Sequence, residues 1–300
     1  MKKLGIFTLV LLLTGCAGAS NSSTYTISQD DVRSISLNTP ATFSVSRVVV
    51  LANGVAEIME SLNAKSLLVG RDVSSTEKSL ESVPIVTSGH QVVPENILTL
   101  KPELVIIDAS TGPTSAINQI RSAGIKVIQT PESWNLSDIN KKIRAVGEAI
   151  GASKGAEALI ATMDQGLSAA SVSNKPRVAF LYLRGTSSVY LIGGPGSGAD
   201  SLLDSVGAID VGAQILDRPF NTLTAESLAT LNPDVILVMS KGLESVGGVQ
   251  GLIKLPGVAQ TKAGKNSAVI DVDDSLLLSF GPRTPSLLEQ LVKGLKKVAP

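Results

Sequence analysis

The stretch Leu98-Thr-Leu-Lys-Pro-Glu-Leu-Val-Ile-Ile-Asp108 decides the fold, because its pattern occurs a second time along the chain. The second copy is Leu228-Ala-Thr-Leu-Asn-Pro-Asp-Val-Ile-Leu-Val238, and alignment of Pro102 with Pro233 gives an offset of 131 residues. In both copies a helix-like stretch ends at a proline, and an acidic residue and a continuous apolar strand follow. A pattern repeated in this way indicates two similar structural units.

Other apolar runs alternate with helical patterns around these two copies. Arg47–Ala52 precedes a helical pattern in the first half, and Val178–Arg184 opens the second half. Continuous apolar strands separated by helices are typical of parallel sheets that are covered on both faces. The sequence therefore predicts an α/β fold with two Rossmann-like lobes, over residues 45–132 and 173–300, and a ligand cleft between them.

The segment between the lobes, residues 133–172, favours helix. It contains few β-formers and is rich in Ala, Lys, Glu and Leu, with a possible break at 151–154. We expect one long connecting helix or two helices in line, and thirty helical residues would span about 45 Å. A stiff connection of this kind predicts a clamp that opens little.

The composition excludes several classes of function. Of 300 residues, 43% are hydrophobic and 17% are charged, and the net charge is zero, so no electrostatic footprint for nucleic acid is present. A single Cys excludes a disulfide framework, and a single His excludes a zinc site built from several imidazoles.

The first residues predict export. Lys2 and Lys3 precede an apolar run from Leu4 to Leu13, as in a signal peptide. Leu13-Thr-Gly-Cys16 resembles the lipobox of bacterial lipoproteins, which implies removal of residues 1–15 and acylation of Cys16, with the protein held on the outer face of the cell membrane. Residues 16–44 then form a flexible tether. The alternative is a plain secretory signal with a chance cysteine.

Together, the lipobox, the two lobes and the repeated proline elements resemble the class III substrate-binding proteins of ABC importers. The resemblance covers residues 45–300 and implies a receptor, not an enzyme, that hands its ligand to an ABC permease and its ATPase. Proteins of this class carry cobalamin, siderophores or haem.

Two stretches carry candidate ligands for iron. His90, the one histidine, lies in the loop Val86–Pro94, and Tyr182 and Arg184 lie on one face of Val178–Arg184 because side chains alternate along a strand. A phenol has an ordinary pKa near 10, but a ferric ion and a neighbouring guanidinium favour the phenolate. A loop histidine without a ligand and a packed tyrosine are the alternatives.

The combination of Gly89-His-Gln-x-x-x-Glu95, Leu181-Tyr-Leu-Arg-Gly185 and Ser279–Thr284 resembles the haem-binding lipoproteins of bacterial haem importers. That resemblance implies that His90 and Tyr182 ligate ferric haem from opposite faces, with Arg184 supporting the tyrosine and a haem donor protein upstream. Tyr190 is the rival ligand.

Further candidates complete the predicted site. Leu276–Leu278 and Val92-Val93 are candidates for its apolar walls, and Arg283 or backbone amides for binding the haem propionates. Asp200 is a candidate contact with the permease, and Thr114, an uncharged residue, occupies the corresponding place in the first lobe.

Two weaker motifs compete. Gly194–Ala199 matches a dinucleotide-binding pattern but lacks the required acidic residue downstream, so a glycine turn is expected. Gly151–Gly155 matches the pattern around a hydrolase serine, Ser153, with His90 as its base, but it interrupts a helix. The alternatives to a haem receptor are a siderophore or cobalamin receptor, a cell-surface hydrolase and a tethered structural protein.

Overall fold

A computed structural model describes residues 24–37, 42–89, 91–167 and 171–299. The strands, in chain order, are β1 (Thr24–Ile27), β2 (Val48–Val50), β3 (Leu68–Arg71), β4 (Thr87–Ser88), β5 (Gln91–Val92), β6 (Leu104–Ile107), β7 (Lys126–Gln129), β8 (Arg177–Arg184), β9 (Val189–Gly193), β10 (Ile209–Asp210), β11 (Phe220–Thr222), β12 (Val235–Met239) and β13 (Val269–Val272).

The helices, in chain order, are α1 (Val55–Ser61), α2 (Pro94–Thr99), α3 (Thr114–Ser122), α4 (Ile139–Ile150), α5 (Ser153–Leu167), α6 (Ala199–Ser205), α7 (Val211–Ile215), α8 (Ala225–Leu231), α9 (Ser240–Ser245), α10 (Gly248–Ile253), α11 (Lys262–Asn266), α12 (Asp274–Leu277) and α13 (Thr284–Val298). In the part of the chain that the structure describes, no helix is both long enough and apolar enough to cross a membrane.

The two predicted α/β lobes are confirmed. The N-terminal lobe has a parallel sheet in the order β3-β2-β6-β7, and β4 and β5 form a short antiparallel hairpin beside it. The C-terminal lobe has a sheet in the order β1-β13-β12-β8-β9-β11, with β10 also paired to β8. The repeated proline elements become α2-β6 and α8-β12, whose strands are buried along their whole length.

The expected tether is wrong for the described residues 24–37 and 42–44, which contact the folded body. Thr24–Ile27 pairs in parallel with Val269–Val272 and forms the edge strand of the C-terminal sheet. Its Thr-Tyr-Thr-Ile pattern alternates as a half-buried strand does, with Ile27 fully buried in the core. The following residues reach the other lobe, since the Gln29 side chain donates to the carbonyl of Thr76.

The connection between the lobes also differs from the prediction. Helices α4 and α5 lie antiparallel, not in line, and the side chains of Arg144 and Glu157 form an ion pair at 2.7 Å. Gly151 ends α4 in the left-handed conformation, with a φ of 81°, where glycine is favoured. Gly147 permits the close packing, because a Cβ there would lie 2.5 Å from the Cβ of Ala156.

One apolar cluster runs through both lobes and through this helix pair. It contains Ile106 of the N-terminal lobe, Ile143 and Leu159 of the two helices, and Phe180 of the C-terminal lobe. Because protein interiors are packed as densely as organic crystals, a shared core resists relative movement of the lobes. The stiffness of the clamp stays a prediction, and this shared core, not one long helix, is the feature that supports it.

Polar contacts reinforce the joint between the lobes. The buried ammonium of Lys142 donates to the carbonyl of Ser279 at 2.6 Å and to that of Asn53 at 3.3 Å. Since these carbonyls belong to different lobes, one side chain of α4 bridges them. Burial lowers the pKa of Lys142 to about 8.

Candidate functional site

A cavity of about 530 Å³ lies between the lobes, within the range of volumes found for small-molecule sites. It lies at the carboxyl ends of strands in both lobes, where α/β folds bind their ligands. Its N-terminal-lobe lining includes Leu51, Asn53, Asp72, Val73, Thr87, Gly89, Val92 and Asp108, and its C-terminal-lobe lining includes Tyr182, Arg184, Met239, Lys241, Asp274 and Leu278.

Tyr182 and Arg184 lie together in this cavity, as their spacing on one strand predicts. The guanidinium carbon of Arg184 lies 4.6 Å from the centre of the Tyr182 ring, in a cation–π contact. The ring of Phe220 packs edge-on against Tyr182, with 5.7 Å between the ring centres. Among the described residues, none forms a hydrogen bond with the Tyr182 hydroxyl, so that hydroxyl is available to a ligand.

Tyr190, the rival tyrosine, lies on the other face of the sheet. Strands β8 and β9 are antiparallel, and their register pairs Tyr182 with Leu191 and Tyr190 with Leu183. Because adjacent residues of a strand point to opposite faces, Tyr190 packs in the apolar cluster of Leu183, away from the cavity. Tyr182 is therefore the tyrosine that faces the cleft.

His90 lies outside the described residues, and its role as a ligand remains a prediction. The residues on either side of it are described. Thr87–Ser88 and Gln91–Val92 form the β4–β5 hairpin, and Thr87, Gly89 and Val92 line the cavity. Gly89 has a φ of 56°, the left-handed conformation that a tight turn requires.

The predicted apolar walls are divided between the cavity and the core. Leu278 and Val92 line the cavity, whereas Leu276 and Leu277 are buried in the core. Met239 lines the cavity as well, which sequence reasoning missed. Its position as the last residue of a buried strand is the signal that could have found it.

Arg283 does not lie in the cavity, so its predicted role toward a ligand is wrong. It is 6% exposed, and its guanidinium pairs with the buried carboxylates of Glu57 at 3.1 Å and Glu77 at 3.0 Å. Burial raises the pKa of Glu77 to about 7 although the Arg283 charge opposes this, and the Glu57 charge adds to the rise. Arg283 is a structural residue of the joint between the lobes.

Lys241 supplies a cation that sequence reasoning missed. Lys241 is the second residue of α9 and lines the edge of the cavity. Its side chain is exposed, and its ammonium has no partner among the described residues. Its backbone N–H donates to the Asp274 carboxylate at 2.9 Å. Lys241 and Arg184 together give the C-terminal side of the cavity two cations suited to anionic groups of a ligand.

The structure does not support the two competing motifs. Ser153 begins α5 directly after the turn that ends α4, whereas a hydrolase serine of this pattern follows a strand. The amides of Gly196 and Gly198 donate to Asp200, so they are not free to bind a phosphate. Asp200 lies in the first turn of α6, and its contact with a permease stays a prediction. Thr114 begins α3, and the contact of the first lobe stays open.

Comparisons with known proteins agree with this architecture. A family model described as "Periplasmic binding protein" matches residues 48–276. The structure is similar to the heme-binding protein HmuT, with 32% identity over 92% of this chain and 98% of that one and a TM-score of 0.81. It is similar to the periplasmic heme-binding protein RhuT from Roseiflexus sp. RS-1, with 36% identity over 86% and 100% of the two chains and a TM-score of 0.81.

Curated relatives point to transport. An uncharacterized ABC transporter substrate-binding lipoprotein of Bacillus subtilis, YvrC, is 28% identical over 83% of this chain and 79% of its own length. A cobalamin-binding protein of Halobacterium salinarum is 25% identical over 64% of this chain, which spans about half of that longer relative.

Proposed function

This chain belongs to the periplasmic binding protein family, and from that premise we propose that it captures ferric haem outside the cell and passes it to an ABC permease. The observation that carries the proposal is Tyr182, which lines the cavity between the lobes, has a guanidinium against its ring and has no hydrogen-bond partner for its hydroxyl among the described residues. Similarity to HmuT and RhuT, both named as heme-binding proteins, supports it.

The chemistry of Tyr182 suits a ferric ion. A phenolate is a hard oxygen ligand, and tyrosine serves as an axial ligand of haem in other proteins. The Arg184 guanidinium, 4.6 Å from the centre of the ring, would attract the negative charge of a phenolate bound to iron. We propose that Tyr182 holds the iron from the C-terminal lobe and that His90 holds it from the N-terminal lobe.

The remaining lining suits a macrocycle with two acidic side chains. Leu51, Val92, Met239 and Leu278 provide apolar surface on both sides of the cavity. Burial of apolar porphyrin surface contributes about 25 cal/mol per Å², which amounts to several kcal/mol for some hundreds of Å². Lys241, in place of Arg283, is the proposed partner of a propionate.

Capture without turnover fits a member of a family of binding proteins. We propose that the haem arrives from a donor protein and leaves through the permease, with Asp200 as a docking contact. A lipid on Cys16 would keep the receptor at the membrane beside that permease, and the relative YvrC is itself named a lipoprotein.

A titration with three ligands tests the function. The purified protein is mixed in separate experiments with ferric haem, with cobalamin and with a ferric siderophore, and visible spectra are recorded. We expect a shifted Soret band and the charge-transfer bands of a tyrosinate-bound ferric haem, at one haem per protein, and no saturable binding of the other two. Saturable binding of cobalamin or of the siderophore alone would overturn the haem assignment and favour the corresponding receptor.

A further inference from the structure

Asp274 contacts Arg184, the residue whose guanidinium lies against the ring of Tyr182, the candidate iron ligand. It begins α12, it lines the cavity, and its carboxylate lies 3.6 Å from a terminal nitrogen of Arg184. The second carboxylate oxygen accepts the backbone N–H of Lys241 at 2.9 Å. Its side chain is 15% exposed against 32% for Arg184, so the acid is the more deeply seated member of the pair.

Arg184 is held on three sides. One terminal nitrogen donates to the carbonyl of Leu183 at 3.0 Å, the other lies 3.6 Å from the Asp274 carboxylate, and the guanidinium carbon lies 4.6 Å from the centre of the Tyr182 ring. A free arginine side chain samples many rotamers, and fixing it in one of them costs conformational entropy. The contacts with Asp274 and Leu183 oppose that loss and keep the cation against the phenol ring.

The other charged groups around the cavity do not form an ion pair with Arg184 in the described part of the chain. On the C-terminal lobe, the Lys241 ammonium lies at the edge of the cavity without a described partner. Across the cleft, Asp72 and Asp108 bind serines of their own loops, at Ser75 and Ser110. In the part of the chain that the structure describes, Asp274 is the carboxylate that pairs with Arg184.

We propose that Asp274 is a positioning residue, which holds the Arg184 guanidinium on the Tyr182 ring so that its charge supports the phenolate bound to ferric haem. This inference rests on the proposed function. Asp274 also has an opposite effect, since its negative charge partly neutralises the cation that it holds. The two effects differ in sign: loss of positioning destabilises the phenolate–iron bond, and loss of neutralisation strengthens it.

The first test needs no haem. In the haem-free protein, protons of the Arg184 side chain lie over an aromatic ring and shift upfield in the NMR spectrum. We expect Asp274→Asn to abolish this shift and Asp274→Glu to retain part of it. Glu244→Gln is the matched control, because it removes an exposed acid of α9. An unchanged upfield shift in Asp274→Asn would overturn the proposal, whether or not haem binds.

The second test measures the ligand bond with ferric haem as the probe. We expect Asp274→Asn to release haem to excess apo-globin roughly three- to tenfold faster, as one cation–π contact predicts, and to shift the tyrosinate charge-transfer band. Arg184→Ala should act in the same way, and the double variant should match Arg184→Ala, since the two residues act as one unit. Asp274→Glu should restore the band.

Slower release from Asp274→Asn would overturn positioning, because it would show neutralisation to be the larger effect. If the NMR shift behaves as expected but the unmodified protein binds no haem, the proposed function fails, and the role of Asp274 in ligation fails with it. Circular dichroism and thermal unfolding of each variant separate these outcomes from misfolding, and a variant that does not fold is replaced by Asp274→Ser in both tests.

Discussion

Tyr182 and Tyr190 lie on opposite faces of one antiparallel strand pair, although only seven residues lie between them in the chain. Tyr182 faces the cavity between the lobes, and Tyr190 packs beneath the sheet. We therefore expect Tyr182→Phe to weaken ferric haem binding by roughly tenfold or more and to abolish the tyrosinate bands, because the variant lacks the oxygen that we propose as the iron ligand. Tyr190→Phe is the matched control and should leave spectrum and affinity unchanged. The reverse result would assign the iron to Tyr190.

His90 yields a second prediction, made from the sequence. Replacement of His90 by Ala should change the haem spectrum from that of a six-coordinate iron toward a five-coordinate one, because the variant lacks one of the two proposed axial ligands. Gln91→Ala, in strand β5 beside it, is the control and should keep the original spectrum. Identical spectra for His90→Ala and the unmodified protein would exclude the imidazole from the iron.

The buried Glu77 predicts how stability depends on pH. Burial raises its pKa from 4.5 to about 7, so between these values the folded chain binds a proton that the unfolded chain lacks. The free energy of unfolding should therefore fall as pH rises from about 4.5 to 7, by an amount on the order of 1–3 kcal/mol, and stay low above pH 7. Thermal unfolding at a series of pH values measures this.

Glu77→Gln should flatten that slope, because the amide does not ionise. A smaller slope of the same sign should remain, since burial raises the pKa of Asp210 to about 6. Glu81→Gln removes an exposed acid of the same region and should leave the slope intact. An equal slope in Glu77→Gln and the unmodified protein would contradict the assignment.

From the lowered pKa of Lys142 we expect the free energy of unfolding to change with pH in the opposite direction in alkaline solution. Its pKa is lowered from 10.5 to about 8, so between these values the unfolded chain binds the additional proton and the free energy of unfolding should rise with pH. Lys142→Met should lack this rise. Lys141→Met, which changes an exposed lysine next to it, should retain the rise, as measured by urea unfolding at pH 8 and pH 10.

Cys16 predicts the attachment to the membrane. The full chain, expressed in a bacterium, should incorporate labelled fatty acid and sediment with membranes, because several acyl chains anchor a protein stably. Cys16→Ser should lose both properties and appear in the soluble extracytoplasmic fraction. Membrane sedimentation of Cys16→Ser without fatty acid would point to attachment through a partner protein instead.

Short sequence patterns were sufficient to predict the two lobes and the shared orientation of two site residues. The repeated proline elements predicted the two lobes because a proline cannot continue the interior of a helix, and the alternation along β8 predicted that Tyr182 and Arg184 share one face. Neither conclusion needs knowledge of which distant residues come together.

Contacts between residues that are distant in the chain could not be predicted from the sequence. From the sequence, Arg283 was a candidate cation for a ligand. In the structure it pairs with Glu57 and Glu77, which lie more than two hundred residues away in the chain. The reversal between α4 and α5 depends on the fit of Gly147 against Ala156, which composition does not reveal. Asp274 and Arg184 likewise meet only through the fold.

The edge strand β1 has a consequence for where the receptor works. If Cys16 carries the lipid, eight residues join the bilayer to Thr24, and a fully extended leash of that length reaches at most about 28 Å. A folded chain of this size is roughly 50 Å in diameter, so the maximum length of the connecting segment is smaller than the diameter of the folded protein. A protein anchored in this way could change its tilt but would stay within this distance of the bilayer, and therefore close to a permease in the same membrane.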